Sequence, residues 1–170
     1  MTRLTLLSLL FISSAMSKAS ASFESTYNAK RFEEYSDQYV RGEKAPSLDG
    51  VIFGLKVATD AMKNLHKNAS IVMSEEDHFA AFDILRAAIE VLRFEKQRRT
   101  EFSDVIVAYS AELALLDPES NAVGLILESA CDYPALGILQ SVKNLKDEKA
   151  KELLLKMMKV SREAFKYGNG

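Results

Sequence analysis

Residues 74–99 read SEEDHFAAFDILRAAIEVLRFEKQRR, and this stretch decides the fold class. Ser74 is a natural helix N-cap, and Glu75, Glu76 and Asp77 put acids in a first turn, where the helix dipole favours negative charge. Phe79, Phe82, Leu85, Ile89 and Leu92 then recur at helical spacing, while Ile84, Val91 and Phe94 form a second stripe. Lys96, Arg98 and Arg99 close the segment with charges that suit a helix C-terminus. A helix that is apolar on two sides is expected at the centre of its domain.

The same period continues on either side. Upstream, a helix from about Leu48 to Lys67 carries Leu48, Val51, Ile52, Leu55, Ala58, Met62 and Leu65 as one stripe. Before it, a helix from about Glu24 to Arg41 sets Tyr27, Phe32, Tyr35 and Tyr39 close to one face, with Gly42 as its stop. Downstream, Phe102, Val105, Ile106, Tyr109, Leu113 and Leu116 mark a further helix. Asp117-Pro118-Glu119 ends it and also reads as the start of the next. Cys131-Asp132-Tyr133-Pro134 interrupts, a helix of about Ala135 to Leu145 follows, and Asp147 can cap a last one running to about Lys166. No alternating apolar and polar run suggests a strand. The expectation is an all-α single domain of six or seven helices, sequential neighbours packed as antiparallel hairpins. A short helical solenoid in the second half is the alternative arrangement, although no fixed-period repeat supports it.

Residues 1–21 read as an address. Arg3 precedes an apolar run from Leu4 to Met16, and Ala19-Ser20-Ala21 presents the small residues a signal peptidase accepts. That run is shorter than the ~20 apolar residues a transmembrane helix needs. A cut after Ala21 leaves 149 of the 170 residues, from Ser22 onward, as one domain in the periplasm or outside the cell. It also removes Arg3 and Lys18 but no acid, so 20 bases face 24 acids and the net charge becomes −4. Nucleic acid is excluded as the main partner on this ground, since such surfaces need a surplus of Lys and Arg.

Cys131 is the single cysteine, so no disulfide forms within the chain and the fold must hold by packing. It is read first as a buried thiol, then as an intermolecular bridge, and last as a nucleophile. The residue types that carry catalysis are sparse: the histidines are His66 and His78. Metal ligands on a helix must sit at i, i+3 or i+4, but one turn after His78 stands Phe82, and Asp83 follows Phe79. No metal and no cofactor are expected. A glycan-cleaving pair of carboxylates would need one acid raised in pKa by an apolar pocket, and the sequence nominates no pair. Asn68-Ala69-Ser70 matches a glycosylation acceptor, which matters only in a eukaryotic host.

Two features remain as a candidate interaction face. Gly50, Gly54 and Ala58 repeat every fourth residue, a row that admits a close helix crossing within the chain or a groove for a partner. Tyr27, Phe32, Tyr35 and Tyr39 form either an inward stripe or a recognition face. The basic amphipathic pattern of the last helix, with Leu153, Leu154, Met157, Met158 and Phe165 on one face, fits docking on the domain better than a membrane surface. The reading is an exported, non-enzymatic helical protein that binds another protein, of inhibitor, immunity or envelope-adaptor type. A small-molecule or lipid-binding domain is the alternative, with Phe79, Phe82, Phe94, Met62, Met157 and Met158 lining a cavity. A glycan-cleaving enzyme stands third.

Overall fold

The computed structural model describes residues 29–68 and 73–168. Within them lie α1 (Ala29–Val40), α2 (Leu48–Lys67), α3 (Glu75–Phe94), α4 (Arg99–Leu116), α5 (Ala122–Cys131), α6 (Ile138–Lys143) and α7 (Glu148–Gly168). A single 3-10 turn, Pro134–Leu136, precedes α6, and no strand occurs among the described residues. The expected secretory segment 1–21, the cut before Ser22, Tyr27 and the frayed end at Asn169 and Gly170 lie outside the described residues.

Local chemistry sets the ends. At Gly42, φ is +69°, and its N–H donates to Tyr39 while that of Glu43 donates to Gln38, the paired bonds of a left-handed helix stop. Ser74 caps α3 as the sequence implies. Its hydroxyl accepts from the Asp77 N–H at 3.1 Å, and the Asp77 carboxylate accepts from the Ser74 N–H at 3.4 Å. Asp147 caps α7 by accepting from the Ala150 N–H at 3.0 Å. After α4, two boundaries differ from the sequence reading. Asp117-Pro118-Glu119 does not open a helix: these residues turn, with the Ser120 N–H on the Asp117 carbonyl, and α5 starts at Ala122. The helix expected over Ala135–Leu145 is the 3-10 turn, a left-handed Gly137 and then the short α6.

Pairing also departs from sequential hairpins. α3 and α4 do form an antiparallel hairpin, tied by the Tyr109 hydroxyl donating to the Ala81 carbonyl at 2.8 Å. The most extensive contacts, however, join helices two apart: α1 with α3, α2 with α4, and α5 with α7. Each of these pairs runs parallel. Ser36 meets Ala87 and Tyr39 meets Glu95; Asp49 meets Arg98 and His66 meets Glu112; Gly124 meets Met157 and Glu128 meets Arg162.

The central helix is α4 rather than α3. It packs on α2, α3, α5, α6 and α7. Its buried residues include Phe102, Ile106, Val107, Tyr109, Ala111 and Leu113, which at ~100° per residue cover more than half its circumference. Ser103 and Ser110 join them at no energetic loss, because one shares a hydrogen bond of 2.7 Å with Ser141 and the other donates to the Ile106 carbonyl. On α3, by contrast, Phe79 and Phe94 face solvent. One helix touching five others makes a bundle; in a solenoid each unit would meet only its neighbours.

Among the described glycines, the tightest packing is at Gly124. A Cβ there would lie 2.6 Å from the Met157 backbone C and O, so α5 and α7 cross with backbone against backbone. The Gly50/Gly54 row makes no such crossing. At Gly50 a Cβ would meet the Pro46 side chain at 3.5 Å, and at Gly54 the Phe32 ring at 3.8 Å.

Candidate functional site

The residues singled out in the sequence separate in space. Ala58 is fully buried, while Phe32 and Tyr39 are half-buried and pack against the core. Gly50 is exposed, and Gly54 and Tyr35 are half-buried. What joins Gly50 and Gly54 is an aromatic the sequence reading did not use. Phe53 lies between them on α2 and is 68% exposed, the most exposed large apolar side chain among the described residues. Its signal was present, because it is the one aromatic of α2 that falls outside the inward stripe.

Tyr39 has a structural task. Its hydroxyl donates to Glu95 Oε2 at 2.5 Å, while Glu95 Oε1 accepts from the N–H groups of Lys96, Gln97 and Arg98 at 2.9, 2.7 and 3.2 Å. Glu95 therefore closes the α3–α4 turn and fastens the end of α1 to it. Burial pushes its carboxyl up, but the hydrogen bonds from Tyr39 and the three backbone donors outweigh that and hold it below the ordinary range. Burial, reinforced by the neighbouring carboxylate, pushes the Tyr39 phenol up to about 12. Arg98 and Arg99 do not end α3. They open α4, where a cation is unfavourable, and Arg98 is offset by Asp49 and by Glu101 at 2.8 Å.

Beside Phe53 runs a groove between the parallel α2 and α4, about 430 Å³ in volume. Its floor is Thr59, Val105 and Ala108. Lys56, Asp60 and Lys63 stand along the α2 side, Glu101 and Asp104 along the α4 side. Beyond the groove along the same two helices, Asp49 pairs with Arg98 on one side and His66 approaches Glu112 at 3.8 Å on the other. Phe53, Lys56 and Asp60 are spaced i, i+3, i+7, so the exposed ring is on the same flank of α2 as the groove. Glu112 is the carboxyl that burial pushes up, against the opposing pull of Lys63 and His66.

A second cleft of about 400 Å³ lies at the end of the α5–α7 pair. The Arg162 guanidinium grips Glu128 there with two bonds of 2.6 and 3.1 Å. Cys131, nearby, is half-buried rather than fully buried, and burial together with Glu128 raises its thiol pKa. Such a thiol is mostly protonated at neutral pH and a poor nucleophile. The six residues proposed to line a ligand cavity do not gather round one: Met62, Met157 and Met158 are core residues, whereas Phe79 and Phe94 face solvent. His78 stacks near Phe82, with ring centroids 6.4 Å apart. Asn68 is exposed at the end of α2, with Ala69 and Ser70 outside the described residues.

No helix among the described residues is long and apolar enough to cross a membrane, and no group of three or more His, Cys, Asp and Glu among them could hold a metal ion. Compared with protein-family models, curated proteins and solved structures, the chain has no match.

Proposed function

We propose that this is a helical protein-binding domain, delivered outside the cytoplasm by residues 1–21, that meets its partner with the outer face of α2. The observation that carries the reading is Phe53, 68% exposed between the exposed Gly50 and the half-buried Gly54. A large aromatic left in water with a glycine on either side offers rigid apolar area at low entropy cost. Aromatic residues of this kind are enriched at binding interfaces. Tyr35 on α1, whose neighbour Phe32 approaches Gly54, widens the same surface.

A photo-crosslinking amino acid at Phe53 tests this in the native host. One specific adduct is expected, absent when the crosslinker replaces the exposed Lys143 of α6. Phe53→Ser, in a chain crosslinked instead at Tyr35, should abolish capture while leaving the thermal midpoint unchanged. A chain that captures nothing at Phe53, or captures equally well at Lys143, refutes the reading.

A further inference from the structure

We infer that α1 is a strap that opens from the folded domain as a unit, hinged in residues 41–47, while the other helices stay packed. Burial is the first observation. Of the 12 residues of α1 only Ser36 is buried. Ala29, Phe32 and Tyr39 reach the core but keep part of their surface in water. α5, at 10 residues, buries Val123, Gly124, Leu127, Glu128 and Ala130. The extensive contacts of α1 are with α3 alone. A free helix of this length is marginal in water, so α1 owes its order to a shallow docking on one neighbour.

The second observation is that little else depends on α1. Two polar bonds fasten it: the Ser36 hydroxyl donates to the Ala87 carbonyl at 3.2 Å, and the Tyr39 hydroxyl to Glu95. When α1 leaves, the Ala87 carbonyl remains inside α3 with its helical partner. Glu95 Oε1 keeps the N–H groups of Lys96, Gln97 and Arg98, so the α3–α4 turn stays closed. The hinge is equally separable. The N–H groups of Arg41, Gly42, Glu43 and Ala45 donate to Asp37, Tyr39, Gln38 and Glu43, and none of these bonds reaches α2, α3 or α4. A unit with few buried side chains and only local hinge bonds opens at a lower free energy than the whole domain. Opening withdraws Phe32 from Gly54, and Tyr35 from the surface beside Phe53. This consequence rests on the partner-binding reading: a partner that uses both helices binds the closed form and stabilises it by mass action.

Hydrogen exchange of the free, full chain, read amide by amide by NMR, tests the opening. The amides of residues 33–40 bond within α1 and should be protected. They should nevertheless exchange at least about tenfold faster than those of Ile106, Val107 and Leu113 in α4. Tyr39→Phe should speed residues 33–40 by roughly tenfold. Ile138→Val trims the core where α6 meets α4, α5 and α7, contacts that the open and closed forms share. It should speed α4 by roughly threefold to tenfold and leave residues 33–40 at their parent rate. If Ile138→Val speeds both helices alike, or if residues 33–40 match α4 in the parent, the inference is overturned, because α1 then unfolds only with the domain. A complete lack of protection in residues 33–40 also overturns it, since nothing is then docked to open. Failed crosslinking at Phe53 strikes the partner-binding reading alone, because the exchange rates are taken on the free chain.

Discussion

Adding one methyl group at Gly124 and one at Gly54 should change stability in opposite directions. Both glycines sit inside helices, where Gly→Ala gains up to about 1 kcal/mol from propensity alone. At Gly54 the new Cβ would lie 3.8 Å from the Phe32 ring, an ordinary contact, so the gain survives. At Gly124 it would lie 2.6 Å from two Met157 backbone atoms and 2.8 Å from the Met157 Cβ. Bringing the shortest of these to 3.4 Å requires α5 and α7 to part by about 0.8 Å. Backbone cannot swing aside as a side-chain tip can, so the strain falls at the upper end of the ~1–3 kcal/mol typical of overpacking. Net of propensity, Gly124→Ala should destabilise by about 2 kcal/mol, a fall of roughly 4–8 °C in the thermal midpoint for a domain of this size. Gly54→Ala should raise the midpoint by about 1–3 °C. Urea and thermal denaturation followed by circular dichroism at 222 nm measure both. A Gly124→Ala protein as stable as the parent, or a Gly54→Ala protein that loses as much, would refute the account of where backbones touch.

Four other outcomes are expected. The Tyr39 phenol, raised from 10.0 to about 12, holds its proton more tightly folded than unfolded. Its stabilisation is complete below pH 10 and is lost as pH rises toward 12, so urea midpoints across that window should fall less steeply in Tyr39→Phe. Arg162→Met strands the buried Glu128 carboxylate and should cost about 1–3 kcal/mol. The double change with Glu128→Met should recover most of it, and equal losses in single and double variants would contradict the pairing. Cys131 should be alkylated by iodoacetamide many times more slowly in the folded chain than in urea at pH 7.5, through burial and its raised pKa. Thiol reductant should leave the melting temperature of a monomer unchanged.

Where the sequence was clear, a single residue type had a single use. Ser74 followed by acids can be little but a helix start, and the apolar stripe from Leu48 to Leu65 marks α2, which runs Leu48–Lys67. Asp117-Pro118-Glu119 was ambiguous because the same residues suit a helix start and a tight turn, and the structure takes the turn. α4 was passed over as the central helix because Ser103 and Ser110 count as polar in any periodicity, yet both find partners in the core. Partner choice was not legible at all. Spacing says which side of a helix is apolar but not which helix covers it. The small-residue row misled for that reason. Gly50 and Gly54 look like a crossing and face a ring or a proline, while the isolated Gly124 makes one. Of the candidate face, Gly50 and Gly54 lie beside Phe53, whereas Tyr39 and Ala58 belong to the packing.

The parallel pairing has a consequence for how the chain acquires its structure. A helix that packs on the next-but-one cannot hide its apolar side when its own synthesis ends. The buried side of α2, with Leu55, Met62 and Ala58 fully covered in the finished domain, waits through all of α3 for α4 to exist. α5 waits in the same way for α7, the last helix described. A nascent chain that has reached Phe94 therefore holds α1 against α3 but leaves α2 without its main partner, and a polypeptide cut there should unfold less cooperatively than the whole domain. Under the export proposed for residues 1–21, this order of contacts leaves the apolar side of α2 without its cover until α4 has followed it.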